Sequence, residues 1–318
     1  MSPPRPRWYA KPRLWFWGLR ELSRLGRPDA AFAFLGGLGD ELLCTTALVE
    51  WRRRHARNLW VMTFHPTLFS GLDCHARILT NDARYPRLCA ALGREMRFVS
   101  YSRYDPETDR DVPPSRHIIA EICLRSGLTG KVHLRPYFHL DPQEIADAEP
   151  YRDSTVIQTS TLNAHVPMLN KQWPTARFQE CVDRLSPSLK FVQLGSAGDP
   201  LLRNVVDLRG RTTLRQSAAI LHAARLFLGP VGFLMHLSRA VDCPAVIVYG
   251  GRETPELTGY SCNENIVQRP VCSPCWQRSR CDFSRCCIES IPAETVATAV
   301  RTLLSRPRAP LAVMEAEL

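Results

Sequence analysis

The sequence predicts an α/β protein of two domains, each a parallel sheet covered by helices on both faces, and three observations lead there. At 318 residues the chain exceeds the size at which one hydrophobic core usually keeps growing. Short apolar runs alternate with amphipathic segments of helical length, the pattern of repeated β-α units. The alternation is broken near residue 150 by the polar stretch LRPYFHLDPQEIADAEPYRDS, and then begins again.

The elements follow in order. Residues 31–35 read as a buried strand, 40–54 as a helix with Leu43, Ala47, Leu48 and Trp51 on one face, and 59–64 as the next strand. Helix-like stretches lie near 86–92 and 115–126, while the Pro- and Asp-rich residues 105–114 read as loop. Beyond the break, strands are expected at 155–158, 189–194, 226–228 and 245–249. Helices are expected at 175–185, 213–224, 233–241 and 294–305. The predicted organisation is a basic aromatic leader (1–30), a first domain (31–150), a second domain (151–305) and a weakly patterned tail (306–318).

An apolar content of 45% is that of a globular chain, neither disordered nor collagen-like. No run of about 18 apolar residues is present to span a bilayer, and LWFWGL is too short for a secretory signal. The expectation is therefore a cytoplasmic protein. Of the twelve cysteines, five fall between 272 and 287 and the others are scattered, which favours reduced thiols plus one local cluster over a disulfide framework.

Charge is concentrated at the start. In residues 1–30 seven basic groups stand against Glu21 and Asp29, a net +5 and half of the chain's +10. Trp8, Tyr9, Trp15, Phe16 and Trp17 interleave with them, a composition suited to the headgroup layer of an anionic membrane. A solvated leader whose tryptophans pack on the domain accounts for it equally well. Single-stranded nucleic acid would attract the same segment, but no nucleic-acid motif follows it and no such partner is expected.

Two constellations stand out from the residues themselves. Gly36, Gly37 and Gly39 make a tight strand-to-helix turn that ends on Asp40; the turn lacks both the third glycine of a dinucleotide fingerprint and the Gly-Lys-Ser/Thr of a phosphate loop. Asp40 can cap the helix or do chemistry. In CSPCWQRSRCDFSRCC, the residues Cys272, Cys275, Cys281 and Cys286 could close a tetrahedral zinc or iron site, with Cys287 spare; free thiols or a local disulfide are the alternative.

The stretch GGLGDELLCTTALVEWRRRH resembles the N-terminal signature of the bacterial heptosyltransferases, glycosyltransferase family 9. In the same order, NKQWPTARF is similar to that family's Lys-x-Trp-Pro element, GRTTLRQSAAILHAARLFLGP to its Gly-x-Thr-x-Leu helix and strand, and GFLMHLSRAVDCPAVIVYGG to its histidine-bearing helix and closing strand. The resemblance spans about residues 31–300. It implies a GT-B architecture, two Rossmann-like domains facing a central cleft, with acceptor on the first and nucleotide-sugar donor on the second. It further implies inverting transfer of a sugar, heptose among the candidates, from a nucleotide diphosphate such as ADP-heptose to a hydroxyl of a glycolipid, glycan or protein.

By the same resemblance Asp40 is the base, on an acceptor loop containing Gly37 and Gly39, and Lys171 contacts the departing diphosphate. Ser160, Thr161, Asp199, Gly232 and His236 shape the donor site. No metal is required for the chemistry, the amides at the turn 229–232 adding positive potential. The basic leader would bring the enzyme to the inner face of the bacterial inner membrane. One departure is plain: where the family usually carries an acid five residues before the helix histidine, then a small residue, then glycine, this chain has Val231, Gly232 and Phe233. That departure keeps a non-catalytic binding subunit with the same shell as the rival expectation.

Overall fold

The computed structural model describes residues 12–55, 58–307 and 309–318. Helix α1 (Pro12–Leu25) leads into the first sheet, built from β1 (Ala30–Phe34), β2 (Leu59–Thr63), β3 (Ala76–Leu79) and β4 (Met96–Phe98), all parallel in the order β3-β2-β1-β4. Between them run α2 (Leu38–His55) and α3 (Arg84–Ala91). Both faces of β1 are covered. Phe32 and Phe34 pack into a core with α2 and the later helix α4 (Ile118–Arg125), while Ala31 and Ala33 meet Trp60, Met62, Tyr85 and Leu25 of α1 on the other side. Alternation with period two puts large side chains on one face and small ones on the other.

A short hairpin, β5 (Tyr104–Asp105) and β6 (Arg110–Asp111), precedes α4; β7 (Lys131–His133) and α5 (Pro142–Asp147) follow it. The second sheet contains β8 (Thr155–Ile157), β9 (Phe191–Gln193), β10 (Val205–Asp207), β11 (Leu226–Pro230), β12 (Ala245–Tyr249) and β13 (Glu264–Val267), all parallel in the order β10-β9-β8-β11-β12-β13. Its crossover helices are α6 (Thr175–Leu185), α7 (Leu214–Ala223), α8 (Phe233–Ala240) and the short α9 (Pro255–Thr258), followed by α10 (Cys286–Glu289) and α11 (Ala293–Ser305). Helices α6 and α11 cover one face; α7 and α8 cover the other and continue into the core of the first lobe.

Both sheets reverse direction beside their first strand, at β1/β4 and at β8/β11. Ligands of open α/β sheets bind at such switch points, beyond the carboxyl ends of the strands. Here the two switch points face each other. The turn after β1 meets the start of α8: a Cβ on Gly39 would stand 3.7 Å from both Phe233 Cα and His236 Cδ2.

Four sequence expectations need correction. Residues 105–114 are not plain loop but carry the hairpin β5-β6. The broken stretch near 150 contains α5, begun by a capping box in which Asp141 accepts from the amide of Glu144 and Glu144 returns the bond. The tail contains β14 (Glu315–Glu317), antiparallel to β7 on the first lobe. Finally α2 starts at Leu38, so Asp40 is its third residue and reaches back to the amide of Gly37, the half of a capping box that the third residue supplies. Of the leader, residues 1–11 lie outside the described residues, with Arg5, Arg7, Trp8, Tyr9 and Lys11 among them.

Candidate active site

Asp40 is half-buried at the mouth of the first switch point, and one carboxylate oxygen accepts a bond from the amide of Gly37 at 3.3 Å. Gly36 permits this inward turn, because a Cβ there would come within 2.8 Å of Asp40 Cβ. The next residue anchors the loop: buried Glu41 accepts from the amides of Gly36, Phe64 and His65 and from the hydroxyl of Thr63, tying the β1 turn to the end of β2. Burial raises the Asp40 pKa above its ordinary value. The Gly37 amide, the Lys171 charge and the Tyr101 hydroxyl oppose that rise without cancelling it.

Across the cleft, Lys171 ends a short turn just before α6, and its ammonium lies 2.6 Å from the carboxylate of Glu253. Glu253 follows β12 by four residues and is 5% exposed. Burial opposes its ionisation, yet the charges of Lys171 and Arg252 bring its pKa down to about 2. Arg252 donates to Glu253 at 3.0 Å and also pairs with Asp111 of the first lobe. Arg278 closes on the same Asp111 at 2.7 Å. Cations and carboxylates therefore alternate from Lys171 to Arg278 through a nearly water-free interface.

The sequence-predicted donor residues divide into two groups. Ser160 and Thr161 follow β8, and Gly232 follows β11, so all three flank the second switch point. A side chain on Gly232 would strike Thr161 Cγ2 at 2.9 Å. The Thr161 hydroxyl accepts from the Gln172 amide at 2.7 Å, which leaves its own hydrogen available to a ligand. His236 on α8 is buried, and its Nδ1 is 2.7 Å from the Tyr260 hydroxyl; burial, reinforced by Lys171, pushes its pKa to about 3, so the imidazole is neutral. Asp199 is placed differently. Its two oxygens receive the Ser196 amide and the Asn163 side chain at 2.9 and 2.7 Å, and it is 3% exposed, turned into its own loop.

A pocket of about 470 Å³ opens beside this group, lined by Ser160, Asn163, Gln172, Thr175 and Arg285 among others. The first turn of α6 borders it, and no side chain caps that helix. At the position of the missing acid, Val231 packs into the core, and Phe233 sits half-buried against the glycine turn.

The cysteine cluster is not arranged as a metal site. Among the described residues no three His, Cys, Asp or Glu side chains stand together to hold an ion, and all twelve cysteines are free thiols. Cys281 Sγ accepts the amide of Arg285 and Cys287 packs against Gly251, while burial raises the pKa of Cys272, and Cys286, Cys275 and Cys281 lie near enough to add to that rise. What the sequence reading missed is Tyr101, Asp111, Arg252 and Glu253. The last two had a visible signal in YGGRE, where a strand runs into glycines and then charge, as β1 does before Asp40.

Residues 131–282 match the family described as glycosyltransferase family 9 (heptosyltransferase). Among solved structures, the chain is similar to the ADP-heptose lps heptosyltransferase II of E. coli, with 15% identity over 86% of this chain and 98% of that one, TM-score 0.60. A glycosyl transferase family 9 protein of Veillonella parvula gives 15% identity over 88% and 98%, TM-score 0.61. The dodecameric iron-containing glycosyltransferase TibC of enterotoxigenic E. coli gives 15% over 87% and 76%, TM-score 0.62. No curated protein matches the chain. The architecture is thus GT-B, and the resemblance read from the sequence motifs is borne out.

Proposed function

We propose that this chain, which carries a glycosyltransferase family 9 domain on a GT-B fold, transfers a heptose from ADP-heptose to a hydroxyl with inversion at the anomeric carbon. The apposition of Asp40 and Lys171 across the cleft carries the reading, the two being near enough for the lysine charge to act on the carboxylate. The acceptor hydroxyl attacks the anomeric carbon from the face opposite the diphosphate. Its oxygen forms the new glycosidic bond as the bond to the phosphate oxygen breaks, and its proton passes to Asp40. ADP leaves with its negative charge met by Lys171 and by the uncapped amides at the start of α8, which has no side-chain cap.

A raised pKa suits Asp40 to this role, since a stronger base accepts the proton earlier in bond formation. Thr161, Ser160 and neutral His236 are the hydrogen-bonding groups proposed for the donor. Structures similar in fold were solved with ADP-D-beta-D-heptose and with ADP, which supports the choice of donor.

The acceptor is proposed to be lipid-linked, presented at the cytoplasmic face of the membrane. Support comes from α1, whose Trp17, Leu22 and Leu25 pack inward while Trp15, Phe16 and Leu19 are 48, 67 and 46% exposed beside Arg20. Among the described residues no helix is long and apolar enough to cross a membrane.

The test is calorimetric titration with ADP and with ADP-heptose, followed by an assay of ADP release on lipid-extracted glycan acceptors. ADP binding that is much weakened but still measurable in Lys171→Met, with release that vanishes in Asp40→Asn, supports the reading. Failure of the wild-type protein to bind ADP overturns it.

A further inference from the structure

The hairpin β5-β6 belongs by sequence to the first lobe, yet its Asp109 and Asp111 bond the second. The Asp109 carboxylate accepts the amides of Ser279 and Arg280, each at 2.8 Å. Backbone bonds run from Asp111 N to Trp276 O at 3.0 Å and from Arg278 N to Asp109 O at 2.9 Å. The Arg278 guanidinium stacks 3.7 Å from the Tyr104 ring centroid. At the inner end, Asp111 is 3% exposed and takes both Arg252 and Arg278.

Resting on the transfer reaction above, we propose that Asp111 and Arg252 are positioning residues that make placement of the Lys171 ammonium conditional on docking of this hairpin. Asp111 fixes the guanidinium of Arg252; Arg252, at 3% exposure, fixes Glu253; and Glu253 holds the ammonium at 2.6 Å. Each link is a charge-assisted bond between buried groups, so each partner loses its fixed place when its neighbour is withdrawn. With the hairpin undocked, Arg252 loses its carboxylate from the first lobe and can turn onto Glu253 alone, competing with Lys171 for it. The lysine is then no longer directed at the diphosphate. Closure of the lobes and readiness of the leaving-group cation become a single event.

ADP is the probe, and its affinity is measured by calorimetry in the full chain, with folding verified by circular dichroism. Asp111→Asn is expected to weaken ADP binding by about tenfold, and Asp111→Glu to restore most of it. In a Lys171→Met background, Asp111→Asn is expected to add less than about twofold, because both changes remove the same interaction. A merely structural role for Asp111 gives equal losses in both backgrounds and overturns the inference. Asp109→Ala, at the half-exposed rim where no buried charge is stranded, is expected to weaken ADP binding about threefold. If Asp109→Ala and Asp111→Asn both bind ADP as the wild type does while Lys171→Met does not, the inference falls and the proposed function stands. If Lys171→Met binds ADP normally, both fall.

Discussion

Lys171 and Glu253, brought together from loops 82 residues apart in sequence, form a 2.6 Å ion pair beside the second switch point. Removing Glu253 strands the Lys171 ammonium, whereas removing Lys171 leaves Glu253 with Arg252 alone. Lys171→Met is therefore expected to destabilise the protein by about 1.5–3 kcal/mol, the worth of one charged hydrogen bond, and the double variant Lys171→Met with Glu253→Met to recover most of that without recovering activity. Urea denaturation paired with the ADP-release assay checks both.

Asp40 carries the opposite trade. Burial raises its pKa, so below the unfolded value this group favours the folded state, and the benefit is lost as pH rises through the folded value. At neutral pH the ionised carboxylate is a liability to the fold. Asp40→Asn is expected to raise the melting temperature while lowering turnover by about 10²–10⁴-fold. In the wild type the acid limb of kcat should lie above 3.8, the ordinary value for this side chain.

His117 caps α4 through its Nδ1, while its Nε2 bonds the carbonyl of Gly259 on the other lobe. Burial lowers its pKa from 6.5 to about 4. The unfolded chain takes up a proton first on acidification, so stability present above pH 6.5 is lost as pH falls toward 4. The loss amounts to roughly 3 kcal/mol for this group. His117→Gln, which cannot take up a proton, is expected to flatten the stability profile between those limits; denaturation midpoints at half-unit intervals measure it.

Gly36→Ala tests geometry without changing charge. Its methyl group would fall 2.8 Å from Asp40 Cβ and push the carboxylate out of its turn. Turnover is expected to fall by about 10²-fold, as for a misplacement of an ångström or so, with a change in denaturation midpoint much smaller than that of Lys171→Met.

The exposed face of α1 predicts a surface effect. Replacing Trp15, Phe16 and Leu19 together by Ser is expected to weaken binding to vesicles containing anionic lipid and to leave ADP affinity unchanged. Sedimentation with phosphatidylglycerol vesicles is the assay, and equal sedimentation of variant and wild type would refute the membrane reading.

The parallel sheets were legible because each strand is a short apolar run between helices with a clear face; 175–185 and 245–249 coincide with α6 and β12. The glycine turn and Asp40 were legible for a similar reason, since a strand end, glycines and an acid are contiguous. Arg252, Glu253 and Asp111 were not, because their role exists only once two distant loops are brought face to face. The hairpin at 104–111 was hidden by strands of two residues, too short to show alternation. Likewise β14 leaves only three residues of signal, and its partner β7 lies more than 180 positions away. Asp199 shows the converse: its place in the sequence suited a ligand contact and a turn aspartate equally, and its oxygens accept from the Ser196 amide and the Asn163 side chain.

Because β14 returns to pair with β7, the polypeptide passes between the lobes twice, once before β8 and again after α11. A body tethered at two points can rock about the line joining them but cannot swivel. Separation of the two lobes is thus resisted at two links instead of one, and rocking about the line that joins them strains the chain least.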